Sequence, residues 1–124
     1  MDILAKILST SVQGCRPELM GLGPIEASKK ALKRANLSID DIDIVELNEA
    51  FASQSLACII DLKIDPEKVN IDGGAIALGH PLGATGARIT AKAAHLLKRE
   101  KKKYALVTQC IGLGQGIATI LERL

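Results

Sequence analysis

The sequence predicts an α/β domain, a mixed five-stranded sheet covered by helices in the order β-α-β-α-β-α-β-β. Three observations carry that expectation. Apolar spacing switches repeatedly between short β-like runs and helical periodicity. Apolar residues make up 48% of the chain but aromatics only 2%, so the core must be built from Ala, Leu, Ile and Val, which suits closely stacked layers. The last two strands are joined by only a few residues, Gly112 to Gly116, too few for a parallel crossover, so that pair is expected to be antiparallel. The remaining alternation implies mostly parallel pairing with helices on the sheet faces.

The elements follow in order. "ILAKILSTSVQG" is rich in β-branched residues and reads as a strand closed by a glycine. After "GLGP", Pro24 suits a first helical turn, where no amide donor is needed. Ile25, Ser28, Ala31, Leu32 and Ala35 then recur at helical spacing, which predicts a helix over 24–36. "LSIDDID" turns into "IVEL", a short buried strand. Phe51, Ser55, Leu56, Ile59 and Ile60 mark a second helical face, and "DPEK" ends it. "VNIDGG" reads as a strand feeding a glycine-rich run. Ile89, Ala93, Leu96 and Leu97 give a third helix from Thr85 onward. "YALVTQC" and "IATILERL" are the last two strands.

With 124 residues and no repeat or linker, residues 1–124 are expected to form one domain. The net charge is +2. The one basic cluster, Lys98-Arg99 with Lys101-Lys102-Lys103, reads as a solvated helix end, where cations favour the dipole. Few aromatics means few platforms for stacking bases, so nucleic acid is not an expected partner. Cys15, Cys58 and Cys110 have no CxxC spacing, which argues against a disulfide framework and a zinc site and suits a reducing cytoplasm. The first residues lack a signal-peptide pattern, and no apolar run is long enough to predict a membrane span.

Three polar residues stand at or just beyond the C-terminal ends of expected strands: Asn48 after "IVEL", His80 in the loop after "VNI", and Cys110 at the end of "YALVTQ". Ligands bind at that edge in open α/β sheets. A thiol acts as nucleophile or base only as thiolate, and an imidazole can take its proton or hold the anion. Glycines beside Cys110 let amides approach a ligand closely, as an oxyanion hole requires. Taken singly these signals are weak. A loop histidine is usually structural, and a buried thiol usually packs as a small hydrophobe. "GLGQG" lacks the full phosphate-loop pattern. His80 and Cys110 are two ligands where a metal site needs three or four.

Taken together, "NEAFA" (Asn48 to Ala52), "GGAIALGHPLGATGAR" (Gly73 to Arg88) and "CIGLGQG" (Cys110 to Gly116) occur in the order and spacing of the thiolases. "MGLGP" and "DPEKVN" resemble that family too. The resemblance covers nearly the whole chain, matches the C-terminal part of a thiolase, and is nearest the acetyl-CoA acetyltransferase branch. It implies acyl transfer between coenzyme A thioesters: two acetyl-CoA give acetoacetyl-CoA and coenzyme A, or the reverse. The alternatives are a 3-ketoacyl-CoA thiolase of fatty-acid degradation, or a non-catalytic remnant that only associates or binds acyl-CoA.

The resemblance also implies residue roles. His80 is expected to activate the nucleophile and to help hold the thioester oxygen. Asn48 is expected to hold a water for the same oxyanion hole. Cys110 corresponds to the second, acid/base cysteine. The Gly112 amide is expected to donate to a second oxyanion hole, and Met20 and Phe51 to line the substrate pocket. No cofactor or metal is expected, coenzyme A thioesters being the substrates. The N-terminal half with the nucleophilic cysteine is absent, and so is most of the coenzyme A loop region. That half is the expected partner, the complete enzyme is expected to be a homo-oligomer, and this chain alone is expected to be inactive. Leu113 stands where a glycine is common in this branch. Cys15, Cys58 and His95 lie outside matching motifs and read as structural.

Overall fold

The hydrogen-bonding needs of four strands organise the chain, in a computed structural model that describes residues 3–124. They are β1 (Ala5–Gly14), β2 (Ile44–Leu47), β3 (Tyr104–Ile111) and β4 (Gln115–Arg123). Their order across the sheet is β1-β4-β3-β2. β3 and β4 form the antiparallel hairpin that their short connection requires, β1 adds antiparallel to β4, and β2 adds parallel to β3. The sheet is thus mixed and α/β, but mostly antiparallel rather than mostly parallel. The cause is β1, which joins the sheet beside the last strand instead of beside β2.

The expected fifth strand, "VNIDGG", is the second correction. It makes a single parallel bridge, Val69 to Val45, and then leaves the sheet. Asn70 is the reason. Its backbone enters the left-handed region at φ 47°, where asparagine is tolerated and a strand cannot continue. Its side-chain amide takes over the edge of β2: Leu47 N donates to Asn70 Oδ1 at 3.0 Å, and Asn70 Nδ2 donates to Leu47 O at 2.8 Å. One buried side chain therefore satisfies the backbone groups that a strand would have paired.

Helices cover both faces of the sheet. α1 (Gly23–Ala35) carries Pro24 in its first turn and ends on Asn36 at φ 55°, whose N–H reaches the carbonyls of Leu32 and Lys33. It buries Ile25, Ala31 and Leu32 against Val45, Leu47, Leu106 and Ile120. On the other face α4 (Thr85–Arg99) buries Ile89, Ala93, Leu96 and Leu97 against Ile44, Ala105, Val107 and Leu121. Neighbouring residues of β2 and β3 alternate between these clusters, as the two-residue period of a strand demands. Each buried Leu or Ile contributes roughly 1.5–3 kcal/mol. Small residues set the helix–sheet distance: Ser11 Oγ donates to Ala27 O at 2.6 Å and Ser9 Oγ to Ala31 O at 2.7 Å.

α2 (Ala52–Leu62) is rotated from the expected face. Gln54, Ser55, Cys58 and Leu62 point inward, while Leu56 and Ile60 are 59% and 74% exposed. Cys58 Sγ donates to Gly21 O at 3.5 Å, so the 3-10 segment Pro17–Leu22 holds the polar side of α2 against the domain. A one-turn helix, α3 (Ala75–Leu78), precedes His80. Cys58 is buried in the core, and His95 lies exposed on α4.

Two tight features can be tested. A Cβ on Gly116 would overlap the carbonyl of Gly23, and one on Gly23 would overlap that of Gln115. Backbone cannot step aside as a side chain does, so Gly116→Ala is expected to lose about 3 kcal/mol, seen as a lowered midpoint in urea with an unchanged slope. Wild-type stability in that variant would refute the close approach. The second feature is Glu46, fully buried in β2, whose Oε1 lies 3.2 Å from Lys92 Nζ. Burial raises its carboxyl above the ordinary value, with Lys92 pulling the other way. A carboxyl raised by folding binds a proton more readily folded than unfolded. Stability then falls as pH climbs from the unfolded value, ~4.3, through the raised one. Lys92→Met widens that window. Its loss is expected to reach about 3 kcal/mol at neutral pH and to shrink as Glu46 is protonated in acid; a pH-independent loss in chemical denaturation would contradict this.

Candidate active site

The parallel pairing of β2 with β3 places the ends of both strands at one edge of the sheet. Asn48 extends the ladder by one step, its N–H donating to Thr108 O at 3.0 Å. Two residues beyond Thr108, Cys110 is the penultimate residue of β3, opposite Gly116 of β4. The chain then turns through Gly112, Leu113 and Gly114, with Leu113 and Gly114 at φ 69° and 91°, a three-residue hairpin with left-handed positions. From the other side, α3 stops at Gly79, where φ is 95°. That swing delivers His80 to the same edge.

Five of the residues singled out from the sequence, Met20, Phe51, His80, Cys110 and Gly112, line one open cleft of about 350 Å³. The sixth, Asn48, is buried behind it at 1% exposure, with Nδ2 3.4 Å from His80 Nε2. Met20 is brought in by the 3-10 segment and Phe51 by the residue preceding α2. Gln109, Ala50 and Leu82 also line the cleft and were not singled out. Nothing lies within 4 Å of where a Cβ would stand on Gly112, so packing does not require a glycine there. What the missing side chain leaves open is the approach to the Gly112 amide.

Behind the lining stands a polar chain. His80 Nδ1 lies 2.7 Å from Thr85 Oγ1, which also donates to Pro81 O at 3.1 Å. Arg88 Nη2 donates to Asn48 Oδ1 at 3.4 Å. Thr85 and Arg88 share the first turn of α4, five and eight residues after His80. Neither stood out in the sequence. A threonine at a helix start and an arginine on an amphipathic helix are ordinary, and the bond from Arg88 to Asn48 spans forty residues. Glu49 is committed to structure: Ile76 N donates to its Oε2 at 2.9 Å and Asn70 Nδ2 to its Oε1 at 3.0 Å.

Burial raises the Cys110 thiol above the ordinary cysteine value, only partly offset by a backbone hydrogen bond. At neutral pH it is therefore a thiol, a proton donor that becomes a base only when it finds an acceptor. Among the described residues there is no cluster of three or more His, Cys, Asp or Glu side chains suited to a metal ion, and no helix is long and apolar enough to cross a membrane. An imidazole, a buried amide, a thiol and an open backbone amide around one apolar cleft can polarise a carbonyl and move a proton beside it. Iodoacetamide alkylation of Cys110, followed site by site by mass spectrometry, is expected to reach half its limiting rate at a higher pH than free cysteine, ~8.5. A midpoint at or below that of free cysteine would contradict the burial effect.

Comparison with known proteins gives the family. Residues 1–123 match the family model for the thiolase C-terminal domain. The 3-ketoacyl-CoA thiolase of Vibrio parahaemolyticus is 56% identical over 99% of this chain and 32% of its own length. That of Idiomarina loihiensis is 60% identical over 95% of this chain and 31% of its own length. Human mitochondrial 3-ketoacyl-CoA thiolase superposes with a TM-score of 0.97 at 53% identity, over 99% of this chain and 31% of that one, and has also been solved in complex with CoA. The acetyl-CoA acetyltransferase of Bacillus anthracis gives 0.97 at 44% identity over 100% of this chain and 32% of that one. The chain thus spans about a third of the length of the relatives it matches. With a family model covering almost all of it and relatives more than half identical, this chain belongs to the thiolase family, as its C-terminal domain.

Proposed function

We propose that this chain is the C-terminal part of a 3-ketoacyl-CoA thiolase, the acyltransferase that splits a 3-ketoacyl-CoA with coenzyme A. The names of the relatives favour this over the acetyl-CoA acetyltransferase branch that the motifs resemble. The observation that carries the reading is the meeting of His80, Asn48, Cys110 and Gly112 at one sheet edge. In the proposed reaction a cysteine thiolate from the remaining two-thirds of the enzyme attacks the 3-keto carbon, its proton having passed to His80. The bond between the α and β carbons breaks, and its electron pair stays on the α carbon as an enolate. The Cys110 thiol protonates that carbon, releasing acetyl-CoA. Coenzyme A then takes the acyl group from the cysteine, with Cys110 accepting the thiol proton. In this reading the Gly112 amide holds the enolate oxygen, and Asn48 holds the water of the other oxyanion hole. Met20 and Phe51 are the proposed pocket walls.

A second reading, synthesis of acetoacetyl-CoA, draws on the Bacillus anthracis likeness; a non-catalytic remnant is the third. One experiment separates them. This chain replaces the matching third of a 3-ketoacyl-CoA thiolase, and the chimera is assayed with acetoacetyl-CoA and with longer 3-ketoacyl-CoA substrates. The isolated chain is expected to be inactive and the chimera active in thiolysis, preferring the longer substrates. His80→Ala in the chimera is expected to lower kcat by roughly 10²–10⁴-fold. A folded but inert chimera would favour the remnant, a preference for acetoacetyl-CoA the acetyltransferase. Turnover by the isolated chain would overturn the assignment of the nucleophile.

A further inference from the structure

The polar chain behind the cleft has one member whose hydrogen-bonding role is not negotiable. Arg88 is a guanidinium, always charged and able only to donate. Its Nη2 reaches the Asn48 side-chain amide at 3.4 Å, while its buried Nε and Nη1 make no hydrogen bond among the described residues. The Asn48 atom facing it must therefore be the carbonyl oxygen, Oδ1. The other end of the same amide, Nδ2, then faces His80 Nε2 at 3.4 Å, and an amide nitrogen can only donate. The His80 nitrogen that meets it must be the one with the free lone pair.

In the neutral ring the proton consequently sits on Nδ1, where Thr85 Oγ1 stands 2.7 Å away. That hydroxyl is free to accept because its own hydrogen goes to Pro81 O at 3.1 Å. Each contact along the series then pairs one donor with one acceptor, and reversing any one of them leaves two donors or two acceptors facing each other.

We infer that Arg88 and Thr85 are positioning residues that fix the neutral His80 ring as the Nδ1–H tautomer and so make Nε2 its basic nitrogen. Free histidine prefers the opposite tautomer, so the protein sets this one against the intrinsic bias of the ring. The consequence for the proposed reaction is directional. A thiol can lose its proton to His80 only from the side that Nε2 faces. At 3.4 Å the Asn48 contact is long enough for a closer, stronger donor to displace it. The second layer also explains why an exposed loop histidine, following a glycine in a run of small residues, holds a defined orientation. Its Nδ1 edge is tied to the first turn of α4, and the Nε2 edge faces a buried amide.

The inference deepens the reading of His80 as the base, yet its test does not depend on turnover. The chain has two histidines, so His95→Gln leaves His80 as the single imidazole. With ¹⁵N-labelled histidine at alkaline pH, where the ring is neutral, proton–nitrogen correlation spectra report which nitrogen is protonated. Magic-angle-spinning spectra give the same information should the chain self-associate. The expected result is an excess of roughly tenfold or more of the Nδ1–H form. Thr85→Val removes the acceptor and is expected to shift the excess to Nε2–H, while Thr85→Ser keeps Nδ1–H. Arg88→Gln, whose amide can present either end, is expected to bring the two forms close to equal, and Arg88→Lys to retain the wild-type preference. A wild-type ring protonated on Nε2 overturns the inference, whether or not the variants fold. An unchanged ratio in folded Arg88→Gln overturns the part given to Arg88. Loss of thiolysis in the chimera with the tautomer as expected would instead strike at the proposed function.

Discussion

The rest of the structure depends on the parallel register between Ile44–Leu47 and Ala105–Thr108. Parallel strands end on the same side, so this single pairing places Asn48 and Cys110 at one edge although they stand 62 positions apart in the sequence. A parallel pair needs a long crossover, and the crossover here supplies most of what else the edge uses, Met20 and Gly112 excepted. α2 and its leading Phe51, the glycine-rich loop with His80, and α4 with Thr85 and Arg88 all lie between the two strands. If β2 slipped by one residue, Glu46 would turn from Lys92 on the α4 side toward the apolar α1 face. Asn48 would lose the alignment that its N–H makes with Thr108. The burial of Ile44, Val45 and Leu47 on alternate faces makes that slip expensive.

A second constraint is what the chain leaves uncovered. Leu56 and Ile60 form an apolar stripe on the outside of α2, and Phe51, Leu82 and Leu113 stand 57%, 82% and 89% exposed. Phe51 and Leu82 line the cleft and Leu113 follows its rim residue Gly112. Scattered exposed leucines are ordinary, but several around one opening are not. A chain spanning a third of its relatives would carry such a surface where the remaining two-thirds fit. On that reading the cleft is one wall of a site rather than the site itself. The inverted polarity of α2, with Gln54 and Ser55 inward and leucine and isoleucine outward, is in keeping with that proposal.

This also shows where the sequence was legible. α1 and α4 were readable because each buries a single apolar stripe with ordinary helix ends. The β3–β4 hairpin was readable from loop length alone. α2 was misread because its strongest apolar stripe faces away from this chain's own core, so periodicity identified the helix but chose the wrong face. "VNIDGG" was misread because composition does not reveal that Asn70 will use its side chain in place of a strand. The sheet's pairing was misread because local alternation says nothing about β1 crossing to β4. For the cleft, Met20, Phe51, His80, Cys110, Gly112 and Asn48 were found through motifs that combine unusual residues. Thr85 and Arg88 escaped because their types are common in helices. Their significance lies in two distances, 2.7 Å and 3.4 Å, that only the folded chain creates.

The protonation of Cys110 sets how its proposed acid/base step begins. Desolvation holds the thiol above its ordinary value, so the resting form carries a proton. In carbon–carbon bond cleavage the group at this position must deliver a proton to an enolate, and the resting form is already the required one. In the reverse direction the same resting thiol first protonates the departing coenzyme A thiolate and becomes the base in doing so. Its burial makes the thiolate costly in either direction. Covering the cleft would remove more water and press further in the same direction. In the proposed reaction the Gly112 amide meets an oxygen that becomes negative in either direction. The raised thiol therefore makes Cys110 a proton donor at rest and a base only once that proton is spent, whichever way the proposed reaction runs.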